Sequence, residues 1–305
     1  LNYSDADALM GAVAQAARSV DYLLESTWYR LDHRGKDGLS RFRKKPRTTQ
    51  VSPGITIAHQ EVSISEDFDL ASDPAIGIRA AATAAQAGLP ISPSTMQRLM
   101  QSYLDGVGVL PNPWPRTARE NLITLIGAGF PMVRIWEGLD QEEILFHWLP
   151  EWRSVRSLPQ RNVLHRHTVD RHMVETAVFA AALTRSVHRP DLLLFAALFH
   201  DLGKGTQEDH SERGEKLIEP LARRIGFSES DIATLKLLVK HHLLLSATAT
   251  RRDLDDPATI ASVVAVIPDL QTLELLHALS IADGQATGHA AWSNWKASLL
   301  RDLVT

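Results

Sequence analysis

Eight consecutive apolar residues, Leu192-Leu193-Leu194-Phe195-Ala196-Ala197-Leu198-Phe199, run straight into His200-Asp201. A helical run with no polar face belongs inside a globular core, and this one is far short of the ~20 residues that cross a bilayer. It therefore carries a titratable pair toward the interior, where unpartnered charge costs on the order of several kcal/mol. Gly203-Lys204-Gly205 stops the helix just beyond and opens space at its end. A divalent cation is a natural partner for an adjacent imidazole and carboxylate, and the donor pair suits Zn, Mn, Fe or Mg rather than Ca. Cysteine contributes nothing: the chain has none, which excludes disulfide scaffolds, Cys-ligated zinc, iron–sulfur clusters and thiol nucleophiles.

The surrounding pattern is mainly α. An opening amphipathic helix, capped by Ser4 or Asp5, carries Leu9, Val13, Ala16, Val20, Leu23 and Leu24 at three- and four-residue spacing and runs to about Leu31. Residues 30–47 then hold eight Lys/Arg, with Gly35, Gly38 and Pro46 as helix breakers. This basic run reads as a solvated loop, with docking of an acidic partner as the functional option. The stretch 55–64 is β-branched and predicts half of a small hairpin near 50–65. Asp73-Pro74, Ser92-Pro93 and Pro115 open further helices, and short ones follow near 133–138 and 142–149.

A junction falls at Leu158-Pro159-Gln160-Arg161-Asn162. It divides a helical region with a small β element, 1–158, from a second domain, 159–305. In the second domain about six helices are expected: 168–187, 190–203, 211–225, 229–246, 257–282 with a break at Pro268, and 289–304. The chain is long enough for two domains, and its formal charge of −4 gives no global attraction to nucleic acid. With 44% hydrophobic and 22% charged residues it has an ordinary globular composition. No signal peptide or membrane span is evident, so a cytoplasmic protein with neither nucleic acid nor membrane as partner is expected.

The chain has 13 His, and those after residue 160 cluster with Asp: His165, His167, Asp170, His172, His200, Asp201, Asp209, His210, His241, His242 and Asp283. Spacing leaves two readings open for them, a metal site or histidines satisfied in the core, because a sequence does not reveal which helices converge. His188, His277 and His289 read as surface or core residues.

His172, His200-Asp201 and Asp283, spread over an all-helical segment, resemble the HD superfamily of metal-dependent phosphohydrolases. Longer strings refine the likeness. His167-Thr168-Val169-Asp170-Arg171-His172, Ala196 through Gly205, and Asp209-His210-Ser211-Glu212-Arg213-Gly214 resemble the uridylyl-removing domain of the bacterial uridylyltransferase family that modifies the PII nitrogen signal protein. His242-Leu243-Leu244-Leu245-Ser246, Arg251 through Pro257, Ala282-Asp283 and Trp292 through Leu303 follow in that family's order. Residues 1–158 resemble its helical linker region more loosely, most strongly at Leu149-Pro150-Glu151-Trp152. The Gly-rich transferase domain and the tandem ACT-type sensor domains have no counterpart here, so the chain reads as a fragment.

The resemblance implies a fold, a helical HD-type phosphohydrolase domain, and a ligand set. His172, His200, Asp201 and Asp283 would be metal ligands, with His210 and His242 completing a site for one or two divalent ions bridged by Asp201. Such ions polarise a phosphodiester and activate water for in-line attack. Asp201 and Lys204 would be the catalytic pair, Lys204 offering charge to the phosphoryl group; a solvated lysine after a helix end is the plainer option. Asp170 would orient a ligand imidazole. His241, read as lying on one helix with His242, would point about 100° away from it. Arg251 and Arg252 read as phosphate grips or as surface ion pairs with Asp253, Asp255 and Asp256, and Trp292 and Trp295 as packing residues.

The implied function is hydrolytic removal of a nucleotidyl group, UMP or AMP, from modified PII protein, with glutamine as effector of the parent enzyme through domains absent here. Hydrolysis of a free nucleotide such as (p)ppGpp is the alternative within the enzyme class. A catalytically silent PII-docking module is the alternative outside it.

Overall fold

The computed structural model describes residues 3–38, 48–161, 166–288 and 290–305. Asn162, His165, His289 and the 39–47 part of the basic run lie outside the described residues. The backbone divides into two compact units, Leu1–Pro150 and Glu151–Thr305.

The first unit opens with α1 (Ala6–Gly38), where the Asp5 carboxylate accepts from the Ala8 N–H at 2.8 Å. The helix continues through Gly35, contrary to the expected end near Leu31, because an interior glycine costs a helix only about 1 kcal/mol and does not stop it. The apolar stripe of α1 also differs from expectation. Val13, Val20, Leu23 and Leu24 are exposed, while the polar side packs on its own unit. Arg18 pairs with Glu137 and the buried Asp140 at 2.9 Å each, Ser19 donates to Gln141 and Tyr22 to Glu142. A buried carboxylate with a guanidinium partner decides the helix face here, and hydrophobic periodicity does not report it.

The segment near 50–65 is a full antiparallel meander, β1 (Thr49–Ser52), β2 (Ile55–Ala58) and β3 (Glu61–Ile64), in the order β1-β2-β3. The run 55–64 is thus two strands, joined by His59-Gln60, both at positive φ, the geometry of a two-residue hairpin turn. Five helices follow: α2 (Ile76–Ala87), α3 (Pro93–Leu104), α4 (Arg116–Ile126), α5 (Phe130–Gln141) and α6 (Leu145–Trp148). Ser92 caps α3 by accepting from Thr95 N–H, with Pro93 in the first turn.

The second unit begins at Glu151, seven residues ahead of the Leu158 junction, because 151–158 is tied to the helices after it. Trp152 stands edge-on to Phe199 at 6.3 Å between ring centroids, Glu151 pairs with Arg224 at 2.7 Å, and Asp170 accepts from the Ser157 N–H at 2.8 Å. Its helices are α7 (Val169–Ala182), α8 (Pro190–Phe199), α9 (His210–Ile225), α10 (Glu229–Lys240), α11 (Leu244–Arg251), α12 (Pro257–Val264), α13 (Leu270–Thr287) and α14 (Asn294–Val304). The apolar run is α8, and every residue from Leu192 to Phe199 is buried, with α7, α10 and α13 packed against it. The expected helix 229–246 is broken, since α10 ends at Lys240. The segment 257–282 breaks around Pro268, where Asp269 caps α13.

Trp292 packs over Gly284, whose missing side chain leaves room for the ring. Trp295 does not pack; it is 62% exposed. No single helix among the described residues is long and apolar enough to cross a membrane.

Candidate metal centre

Four elements and two turns bring the sequence candidates together. His172 lies in the first turns of α7, His200 ends α8, and Asp201 and Lys204 occupy the turn behind it. His210 opens α9, where Asp209 accepts from the N–H groups of Ser211 and Glu212, and Asp283 projects from α13. His242 sits in the turn between α10 and α11. His172, His200, Asp201 and His242 are buried, each at most 2% exposed.

The Asp201 carboxylate faces two ways. Its Oδ2 lies 3.7 Å from His172 Nε2 and 3.5 Å from His200 Nε2. Those two imidazole nitrogens are 3.3 Å apart, and Asp283 Oδ1 is 3.0 Å from His172 Nε2 and 3.7 Å from His200 Nε2. Asp201 Oδ1 points the other way, 3.7 Å from both His210 Nε2 and His242 Nε2. Two groups with metal-ligand spacing result, His172/His200/Asp201 and Asp201/His210/His242, and they share Asp201.

The residues fit a divalent cation on three counts. Ligand atoms about 2.1 Å from one ion, at right-angle to tetrahedral spacing, stand about 3.0–3.4 Å apart, and the first group, at 3.3–3.7 Å, lies at and just above that range. Asp201 Oδ1 is buried with no hydrogen-bond partner, a costly arrangement for a carboxylate oxygen unless a cation meets it. The ring nitrogens away from the cluster meet backbone carbonyls: His200 Nδ1 meets the Ala197 oxygen at 2.9 Å and His242 Nδ1 the Val239 oxygen at 2.7 Å. A nitrogen beside a carbonyl carries the proton, so Nε2 is left with its lone pair toward the cluster.

The charges of the cluster couple its imidazoles and carboxylates to one another. Burial pushes the His242 imidazole down to about 4, helped by neighbouring His200, so it is a neutral donor at pH 7. Burial also acts to lower His200, but the Asp201 and Asp283 carboxylates outweigh it and leave its pKa raised. For Asp201 burial acts upward, and His200, Lys204 and His242 outweigh it, holding the acid well below the usual carboxylate range. Asp283 is likewise lowered against its burial, chiefly by the hydrogen bond with His172 and by His200.

Lys204 is not a freely solvated lysine. Its Nζ lies 2.6 Å from Asp201 Oδ2 and 2.7 Å from Gln160 Oε1. Gln160 had no signal in the sequence; its amide also donates to the His167 carbonyl at 3.2 Å. The turn carrying Lys204 comes very close to α9. A Cβ at Gly203 would overlap the His210 carbonyl oxygen and lie 2.6 Å from Gly214 N, so only glycine lets the Asp201 turn reach His210. Asp170 holds backbone, accepting from the Ser157 and Arg171 N–H groups. His241 is the C-cap of α10, and burial lowers its imidazole, with Lys240 adding to the effect. Because the helix ends there, the two histidines are separated by a chain turn rather than by rotation around one helix. His188 is at the surface, paired with Glu274 at 2.6 Å. Arg251 and Arg252 are exposed, while Asp256 caps α12 and Asp253 accepts from the Asp255 N–H.

Comparison with known proteins gives the HD domain family over residues 169–283. Over its whole length the chain is 48% identical to a Streptomyces coelicolor protein named bifunctional uridylyltransferase/uridylyl-removing enzyme, covering 37% of that protein. It is 43% identical over its whole length to the Mycobacterium tuberculosis protein of the same name, again covering 37%. A Corynebacterium glutamicum protein of that name is 33% identical over 78% of the chain. The chain thus spans well under half the length of these curated relatives.

Proposed function

Because the chain belongs to the bifunctional uridylyltransferase/uridylyl-removing enzyme family and carries an HD domain, we propose that its Glu151–Thr305 unit is a metal-dependent phosphodiesterase. Its substrate is the nucleotidylated form of a PII signal protein, from which it removes UMP or AMP by hydrolysis, a step in nitrogen regulation. The observation that carries the reading is the Asp201 carboxylate, with one oxygen toward His172 and His200 and the other toward His210 and His242.

His172, His200, Asp201 and Asp283 would hold one ion, and Asp201, His210 and His242 a second. Bound ions supply Lewis acidity and a water activated near neutral pH. The chain's own residues do the rest. The carbonyls of Ala197 and Val239 fix the His200 and His242 rings with Nε2 inward. The buried walls of α7, α8 and α10 keep bulk water from His172, His200, Asp201 and His242 and strengthen the charge interactions among them. Lys204, held between Asp201 and Gln160, would offer its ammonium to phosphoryl oxygens as they gain negative charge during displacement. The leaving group on this reading is a protein side-chain oxygen, and the nucleotide departs as its monophosphate.

The test is release of nucleotide from UMP-modified and AMP-modified PII by the purified 305-residue chain, with Mn2+ and with chelator. The expected result is metal-dependent release of the monophosphate from at least one of the two. Release from neither, alongside hydrolysis of a free guanosine tetraphosphate, would move the activity to a soluble nucleotide.

A further inference from the structure

Arg213 occupies α9 one turn after His210. Its guanidinium NH1 donates to the backbone carbonyls of Gly203 at 3.0 Å and Lys204 at 3.1 Å. Among the described residues no carboxylate pairs with it, although α9 also carries Glu212, Glu215 and Glu219. Its charge is spent on two carbonyls of the turn that presents Asp201 and Lys204. A charged donor makes such hydrogen bonds roughly twice as strong as neutral ones.

That turn is the joint between the two halves of the metal centre. The His172/His200 half is carried by α7 and α8, which pack on each other and on α13. The other half needs α9 to stay against the turn, because His210 rides on α9 while Asp201 Oδ1 stands 3.7 Å from His210 Nε2 and from His242 Nε2. Two features hold the joint: the glycine contact of Gly203 with Gly214, which is packing without direction, and the Arg213 fork, which fixes the orientation of the carbonyls.

We propose that Arg213 is a positioning residue for the His210/His242 half of the metal centre, locking the 203–204 turn on α9 so that Asp201 can serve both halves. The proposal rests on the metal-dependent reading above. It assigns Arg213 no contact with substrate or ion; it acts through Asp201 and His210. Losing the fork leaves the Gly203–Gly214 packing intact, so the fold persists while the gap between His210 and Asp201 loosens.

The test is calorimetric Mn2+ titration of the ion-free 305-residue chain, with melting temperature measured alongside. Wild type is expected to take two ions. Arg213→Ala is expected to keep one at wild-type affinity and to bind the other at least tenfold more weakly, the order of effect of outer partners on a metal site. Arg213→Lys, which retains a charged N–H donor group without the planar guanidinium, should recover part of the loss. Two ions bound as in wild type by Arg213→Ala would overturn the proposal alone. Equal weakening of both ions in step with a lowered melting temperature would make Arg213 merely structural and overturn it as well. A wild-type chain that takes fewer than two ions would remove the two-half reading, and the proposal with it.

Discussion

Asp201→Ala is expected to abolish nucleotide release while leaving the helical circular dichroism of the chain unchanged. One carboxylate serves both ligand groups, so its removal takes a ligand from each. Disturbing even an outer partner of a metal site costs about 10–100-fold; two halves damaged together compound to a loss of about 10²–10⁴-fold. The fold should survive because the buried apolar residues of α8 that anchor this unit's core are left in place and Ala adds no bulk. Lys204 keeps Gln160 as a partner and part of its exposure to water. Asp201→Asn separates charge from shape: it should fill the site but fail to bind ions, because an amide supplies neither the charge nor two equivalent oxygens. Near wild-type turnover by Asp201→Ala in saturating Mn2+ would remove Asp201 from the mechanism.

His242→Ala is expected to weaken ion binding and turnover tenfold or more, and His241→Ala to change both much less. The two residues are neighbours in sequence with different surroundings. His242 is 1% exposed, its Nδ1 is fixed by the Val239 carbonyl, and its Nε2 points at Asp201 Oδ1. His241 closes α10 and belongs to neither ligand group. A buried imidazole replaced by methyl also leaves a cavity and frees the Val239 carbonyl, so some loss of stability accompanies His242→Ala. His242→Gln, which retains a donor, distinguishes that loss from loss of a ligand. Turnover and Mn2+ affinity of the single variants decide the matter, and the reverse pattern would put the wrong histidine in the centre.

In the sequence the preference for His242 over His241 rests on the resemblance at His242-Leu243-Leu244, because helical periodicity alone is indecisive there. A continuous helix over 229–246 would turn one histidine away from the other; in the structure α10 ends at Lys240 and a turn aims His242 inward. Apolar residues on both flanks, Leu237, Leu238, Leu244 and Leu245, hide such a break from periodicity. The apolar run before His200-Asp201 was legible for a firmer reason, since a helix with no polar face has nowhere to go but the core. The helix start at Ser92-Pro93 was legible because a cap acts locally. The convergence of α7, α8, α9 and α13 was not, because tertiary packing sets it. The same limit hid the inverted face of α1, where an ion pair with buried Asp140 outweighs the apolar stripe, and it hid Gln160 and Arg213, whose partners are distant in sequence or are backbone atoms.

The most direct measurement of the central claim is anomalous diffraction from crystals of the chain grown with Mn2+. The account expects two anomalous peaks on either side of Asp201. One should lie within bonding distance of His172, His200 and Asp283, and the other within bonding distance of His210 and His242. Anomalous density absent from this cluster at saturating Mn2+, or located only elsewhere on the chain, would contradict it.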